Sequence, residues 1–177
     1  MQRQVGRFVR NEFSPQRFSA FSTFLSQQLQ SDPIFVSVSP GARTLELRTS
    51  ESGNMLTTEV MNTIQRKLEM YEANTIIGAM IITSENPDLF SNGLDNNEVE
   101  NSEKKRRIAA ASKLSSYISS MDKAVIAVYS GSVAASAYSV FASARYRLGT
   151  PSTKFRIEED LSRGNLPLGG LAAQIAR

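Results

Sequence analysis

TIIGAMIITSENPDLFSNGLD, residues 75–95, is the stretch whose reading decides how the chain is built. Its first part, Ile76-Ile77-Gly78-Ala79-Met80-Ile81-Ile82, is too short for a membrane span and rich in β-branched side chains. It therefore reads as a fully buried strand in a parallel sheet. The polar turn Ser84-Glu85-Asn86-Pro87-Asp88 stops it. An apolar clip and a glycine follow, Leu89-Phe90-Ser91-Asn92-Gly93-Leu94-Asp95, and that glycine is free to take positive φ. A buried strand running into a glycine loop and then a helix is where α/β proteins place backbone that faces a ligand.

Working outward, 177 residues suffice for one domain with a sizeable core. An apolar content of 41% and a charged content of 21% put the chain among ordinary soluble globular proteins. No eighteen-residue apolar stretch suggests a transmembrane helix. Cysteine and histidine are both absent. That removes disulfides, thiol nucleophiles, thiolate or imidazole metal sites, and every mechanism built on a histidine base. No metal site is expected. Proton chemistry, if any, falls to carboxylates, Lys, Tyr, backbone amides or water.

The formal charge of +3 is unevenly placed. Residues 1–30 hold Arg3, Arg7, Arg10 and Arg17 against Glu12 alone, so the remaining body is neutral. The expected division is a basic arm over residues 1–30 and a domain over 31–177. The arginines share one side of a helical wheel, with Val5, Phe8 and Val9 away from it. This is the composition of a mitochondrial transit segment, which predicts a matrix location. The competing reading is an amphipathic helix without a targeting role. Phe18, Phe21, Phe24 and Leu25 would suit anchoring on a partner surface.

Residues 34–38 and 43–49, joined by Pro40-Gly41, read as a β-hairpin. Thr57 or Thr58 can cap a helix whose buried stripe is Val60, Met61, Ile64, Leu68 and Tyr71. After the glycine loop, residues 96–121 read as a polar helix. Its run Lys104-Lys105-Arg106-Arg107, flanked by acids, reads as a solvated face rather than an RNA contact. Residues 123–129 form a second buried strand ending at Ser130-Gly131, followed by a helix of small residues over 134–144. Short extended pieces are expected at 145–148 and 153–157, then the acids Glu158-Glu159-Asp160. A turn over 164–170 and a helix starting at 171 complete the chain.

In this order the elements resemble the crotonase superfamily, the enoyl-CoA hydratase and isomerase group, over residues 34–177. Asn54-Met55-Leu56-Thr57 is similar to the family's Asn-Ala-Leu-Ser lead into its first helix. Met80-Ile81-Ile82-Thr83 with Phe90-Ser91-Asn92-Gly93-Leu94-Asp95 is similar to its strand and Phe-Ser-Ala-Gly-Ala-Asp loop. Lys123-Ala124-Val125-Ile126-Ala127-Val128 with Gly131 resembles Lys-Pro-Val-Ile-Ala and the following Asn-Gly. Phe155, Glu159, Gly164, Pro167, Gly169 and Gly170 follow Phe-x-x-Pro-Glu…Gly…Pro-x-x-Gly-Gly. Each segment alone is common, whereas four in the right order and spacing are specific. The 3-hydroxyisobutyryl-CoA hydrolase-like branch, which includes a protein of the small mitochondrial ribosomal subunit, is the neighbour considered. These motifs do not separate it from the hydratases.

The resemblance implies an α/β fold, the N-terminal part of a ββα spiral of about 250 residues in which the C-terminal helical region is lacking. It also implies oxyanion stabilisation by two backbone N–H groups, one at a helix N-terminus. Carried over, the donors are the amides of Leu94 and Ser136. Where the family has consecutive glycines, this chain has Ala134-Ala135-Ser136-Ala137, whose Cβ atoms crowd the approach. The hydratase glutamate falls at Ser139. The second carboxylate falls at Glu159 or Asp160, depending on whether one counts from Phe155 or back from Gly164. The hydrolase aspartate is replaced by Leu168.

The expectation is a degenerate member that is not an enzyme, acting as a structural subunit of a mitochondrial assembly, the small ribosomal subunit above all. Its partners would be other proteins of that complex, with ribosomal RNA reached through the arm, and it would need no cofactor. The alternative is an active acyl-CoA hydratase or 3-hydroxyacyl-CoA thioester hydrolase, a homotrimer taking a coenzyme A thioester, using the Leu94 and Ser136 amides with Glu159 or Asp160 as the remnant catalytic carboxylate.

Overall fold

The computed structural model of the protein describes residues 32–49, 52–94 and 101–157. β1 (Ile34–Ser39) and β2 (Ala42–Leu47) pair antiparallel about Pro40-Gly41, where Gly41 takes φ +73°. This is the expected hairpin. α1 (Thr58–Glu72) crosses over to β3 (Ala79–Ser84), which lies parallel to β2. The Thr57 side chain accepts the Val60 N–H and starts the helix, and Val60, Met61, Ile64 and Leu68 are buried as their spacing predicts, with Tyr71 half-buried.

β4 (Leu89–Ser91) leaves the first sheet, and α2 (Asn101–Ser120) returns the chain to β5 (Ala124–Tyr129), parallel to β3. β6 (Ser132–Ala134) and the short α3 (Ala135–Phe141) lead to β7 (Tyr146–Gly149), parallel to β5, and then to β8 (Lys154–Arg156). Two sheets result, in the orders β1-β2-β3-β5-β7 and β4-β6-β8. Apart from the first hairpin every pairing between these strands is parallel, as crossover helices require.

One apolar cluster joins the layers: Leu45, Leu47, Met80, Ile82, Val125 and Ala127 from the sheet, with Ile64, Leu68, Leu114 and Ile118 from the helices. Polar ties lock the C-terminal end of α1. Lys123 Nζ donates to the carbonyls of Tyr71 and Asn74, and Tyr117 donates its hydroxyl to Glu72 at 2.5 Å. A cation beside the carbonyls at a helix C-terminus is the favourable arrangement at that end. Among the described residues no helix is long and apolar enough to cross a membrane.

Three expectations need correction. The strand of the opening stretch starts at Ala79, three residues later than its apolar run, and Ile76 is 78% exposed. Asn74 causes this: its side chain accepts the Ile76 N–H and its carbonyl the Ile77 N–H, winding that part of the run into a turn. Nor is β3 buried on both faces. Met80 and Ile82 are enclosed while Ala79 and Ile81 are half-buried, the alternation of a sheet closed fully on one side only. The helix of small residues begins at Ala135 and ends at Phe141, because residues 132–134 pair as β6 and Arg147 caps the carbonyls of Ala142 and Ala144. The arm over residues 1–30, the turn over 164–170 and the helix from 171 lie outside the described residues.

Candidate functional site

The glycine loop is held by side chains that the polar turn supplies. Ser84, at the end of β3, donates to the Leu89 carbonyl at 2.7 Å and accepts the Asn86 N–H at 3.0 Å. Asn54 reaches in from the segment before α1. It is buried, sits at φ +50°, and donates its amide to Ser84 Oγ at 2.9 Å and to the Phe90 carbonyl at 3.2 Å. Ser91 Oγ donates to the Asn54 carbonyl at 2.6 Å and accepts the Gly93 N–H at 3.0 Å. The Leu56 N–H closes the frame on the Gly93 carbonyl at 2.8 Å.

Gly93 is thus held through both its N–H and its carbonyl, with φ +91°. That fixes the direction of the next amide, the N–H of Leu94. It points into the start of α3, where Ser136 Oγ accepts it at 3.1 Å. The two residues that sequence reasoning paired are therefore brought together, but through the Ser136 side chain. Ser136 is 1% exposed, with Ala134, Ala135 and Ala137 buried around it. Ser139, where the resemblance sets the hydratase glutamate, is buried too and donates its hydroxyl to the Ser136 carbonyl at 2.7 Å. A serine bonding back to its own helix has its proton engaged locally.

Gly131 sets where α3 starts. It adopts φ +57°, and a Cβ there would collide with the backbone of Asp88. Ser132 N–H donates to the Asp88 carbonyl at 2.9 Å, joining the second segment to the turn before β4. Below this junction lies an aromatic cluster. Tyr129 packs edge-on to Phe90 at 4.9 Å between ring centres, and Tyr138 and Phe155 follow at 5.4 and 6.0 Å. The Tyr129 hydroxyl is buried with no hydrogen-bond partner among the described residues. Burial pushes its pKa far above the ordinary phenol value, the neighbouring Tyr138 adds to this, and Arg147 opposes it.

Glu159 and Asp160, with Leu168, lie outside the described residues. Arg156, just before them, donates to the Asn92 side chain at 2.9 Å, beside the glycine loop. Sequence reasoning missed Asn54, Ser84 and Ser91 as the frame of that loop. The Ser-Gly-Asn end of the hairpin was the available signal, since Asn is the residue beside Gly that tolerates a left-handed backbone. Among the described residues no group of acids could hold a metal ion.

The sequence profile described as enoyl-CoA hydratase/isomerase matches residues 42–160. No curated protein sequence matches significantly. The fold is similar to that of solved enoyl-CoA hydratases. With the enzyme from Bacillus anthracis it shares 15% identity at a TM-score of 0.76, over 82% of this chain and 57% of that one. With an enoyl-CoA hydratase/isomerase family protein from Silicibacter pomeroyi the values are 18% and 0.72, over 81% and 61%. With human enoyl coenzyme A hydratase domain-containing protein 3 they are 20% and 0.72, over 82% and 58%. The chain spans about three fifths of the length of these structures, and at such identities the likeness is one of fold.

Proposed function

Because this chain belongs to the enoyl-CoA hydratase/isomerase family, we propose that it is a member whose thioester site has lost its chemistry and whose fold serves as a structural subunit of a mitochondrial assembly. The small subunit of the mitochondrial ribosome is the assembly we favour, and the 3-hydroxyisobutyryl-CoA hydrolase-like branch the ancestry, on sequence resemblance and the composition of residues 1–30.

The hydrogen bond from the Leu94 N–H to Ser136 Oγ carries the loss of chemistry. An oxyanion donor works by waiting, preorganised and unoccupied, for charge to develop on a substrate oxygen. Here an oxygen of the chain already accepts that N–H. A thioester carbonyl would have to displace it in a site where alanine methyls are packed on either side. Loss of one such donor costs about 100- to 1,000-fold in rate, and loss of a general base about 100- to 10,000-fold more. Ser139, bonded to its own helix, supplies no such base near neutral pH.

The test has two arms. The full chain should show no turnover of crotonyl-CoA or of a 3-hydroxyacyl-CoA, and Ser136→Gly should raise affinity for an acyl-CoA by freeing the Leu94 amide. In mitochondrial extract the chain should co-sediment with a large ribonucleoprotein, and recovery only as a free small oligomer counts against the structural role. Turnover that falls when Glu159 and Asp160 are both changed to Ala would instead establish an active hydratase or hydrolase.

A further inference from the structure

The densest positive charge among the described residues lies on α2, away from the glycine loop. Its first half contains Glu103-Lys104-Lys105-Arg106-Arg107, and Lys113 follows. Glu103 is engaged by Arg107, whose Nη2 stands 3.3 Å from it and which is itself buried. Lys104, Lys105, Arg106 and Lys113 are exposed, and none forms an ion pair with a described residue. Acids flank the run in sequence, yet within the helix they neutralise only its innermost arginine. The run is a solvated face, as its sequence suggests, and among the described residues only its buried arginine is paired to an acid.

At 3.6 residues per turn, buried Arg107, Ala111, Leu114 and Ile118 mark the inner side of the helix. Lys105, Ala109, Ser112, Lys113 and Ser116 mark the outer one, with Arg106 at its margin. This outer face has no large apolar side chain; those exposed elsewhere are Val38, Met70, Ile76, Tyr146, Leu148, Phe155 and Ile157. Protein interfaces draw most of their affinity from aromatic, apolar or arginine anchors seated in pockets, and a face of lysines, serines and an alanine supplies little of that kind. It also lacks a ring for stacking unpaired bases, since Tyr117 is turned to Glu72. What it presents is charge at helical spacing, separated by residues short enough for a backbone to come close.

We infer that the outward face of α2 binds the sugar-phosphate backbone of a nucleic-acid duplex through Lys105, Arg106 and Lys113. Such contacts read charge and groove shape rather than base identity. The three cations extend over about 12 Å of helix axis, less than half a turn of duplex, so one face of the duplex suffices. This surface is separate from the Leu94–Ser136 site and does not depend on the fate of its chemistry.

Fluorescence anisotropy of the full chain with a labelled 20-base-pair RNA duplex, and with a DNA duplex of the same sequence, tests the assignment between 50 and 200 mM salt. With three phosphate contacts, log K should fall against log salt with a slope of about 2 to 3. Changing Lys105, Arg106 and Lys113 to Ala should remove most of that slope and weaken binding at least about ten-fold, with unchanged circular dichroism. Tighter binding of RNA than DNA would assign A-form geometry, and equal binding would assign phosphate contact alone; both support the inference. Three results would overturn it: parental binding by the triple variant, abolition of binding when Arg3, Arg7, Arg10 and Arg17 alone become Gln, or equal competition by polyglutamate, which would make the face a site for an acidic protein.

Discussion

The Leu94 amide meets an oxygen that the chain itself supplies, and Tyr129 carries a hydroxyl that meets no partner among the described residues. The second feature has measurable consequences. A buried hydroxyl without a partner costs about 1 to 3 kcal/mol, so Tyr129→Phe should stabilise the fold by about 1 kcal/mol, read from urea unfolding. The same phenol sets an alkaline limit. Its folded pKa lies above the ordinary value of 10.0, so its contribution is intact below that value and is lost as pH rises past it, because the unfolded chain releases the proton first. Stability should fall by about 1.4 kcal/mol per pH unit above 10 on account of Tyr129, and Tyr129→Phe should remove that component. Gly131→Ala should cost at least about 2 kcal/mol, since it demands both a left-handed backbone and space held by Asp88. At this scale motif position named Leu94 and Ser136, and the structure joins them through the Ser136 side chain. The direction of the Ser136 hydroxyl was not legible, because it depends on a loop forty-two residues away in sequence.

Among the elements, those with a strong local signature were readable. The hairpin was fixed by Pro40-Gly41 and alternation, and α1 by its threonine cap and apolar stripe. β4 and β6 were not, because three residues are too few to show a period and their pairing is with each other. The start of β3 was misread because one asparagine turned apolar residues into a bend. Asn54 shows how two elements depend on a connection between them. It joins the end of the hairpin to β3 and β4 through Thr49, Ser84 and Phe90. Asn54→Gly keeps the left-handed backbone and deletes only the side-chain bonds. It should cost about 2 to 3 kcal/mol and accelerate hydrogen exchange at the Gly93 and Leu94 amides. Unchanged exchange there would show that the loop is held without it.

For the whole molecule, apolar surface gathers at the far edges of both sheets. Tyr146 and Leu148 on β7, Phe155 on β8 and Ile157 just beyond are each more than half exposed. Clusters of this kind mark surface that something covers or that promotes association. Leu148→Lys with Ile157→Lys should lower binding of a hydrophobic dye without lowering the melting temperature. The chain matches about three fifths of the length of solved relatives.

The order of strands in the larger sheet, β1-β2-β3-β5-β7, has a consequence for how the protein is born. It runs the same way as the sequence, so a nascent chain emerging N-terminus first lays each new strand against the last one deposited. No later strand has to wedge between two already joined. Assembly can keep pace with translation, and among the described residues β7 is the growing margin.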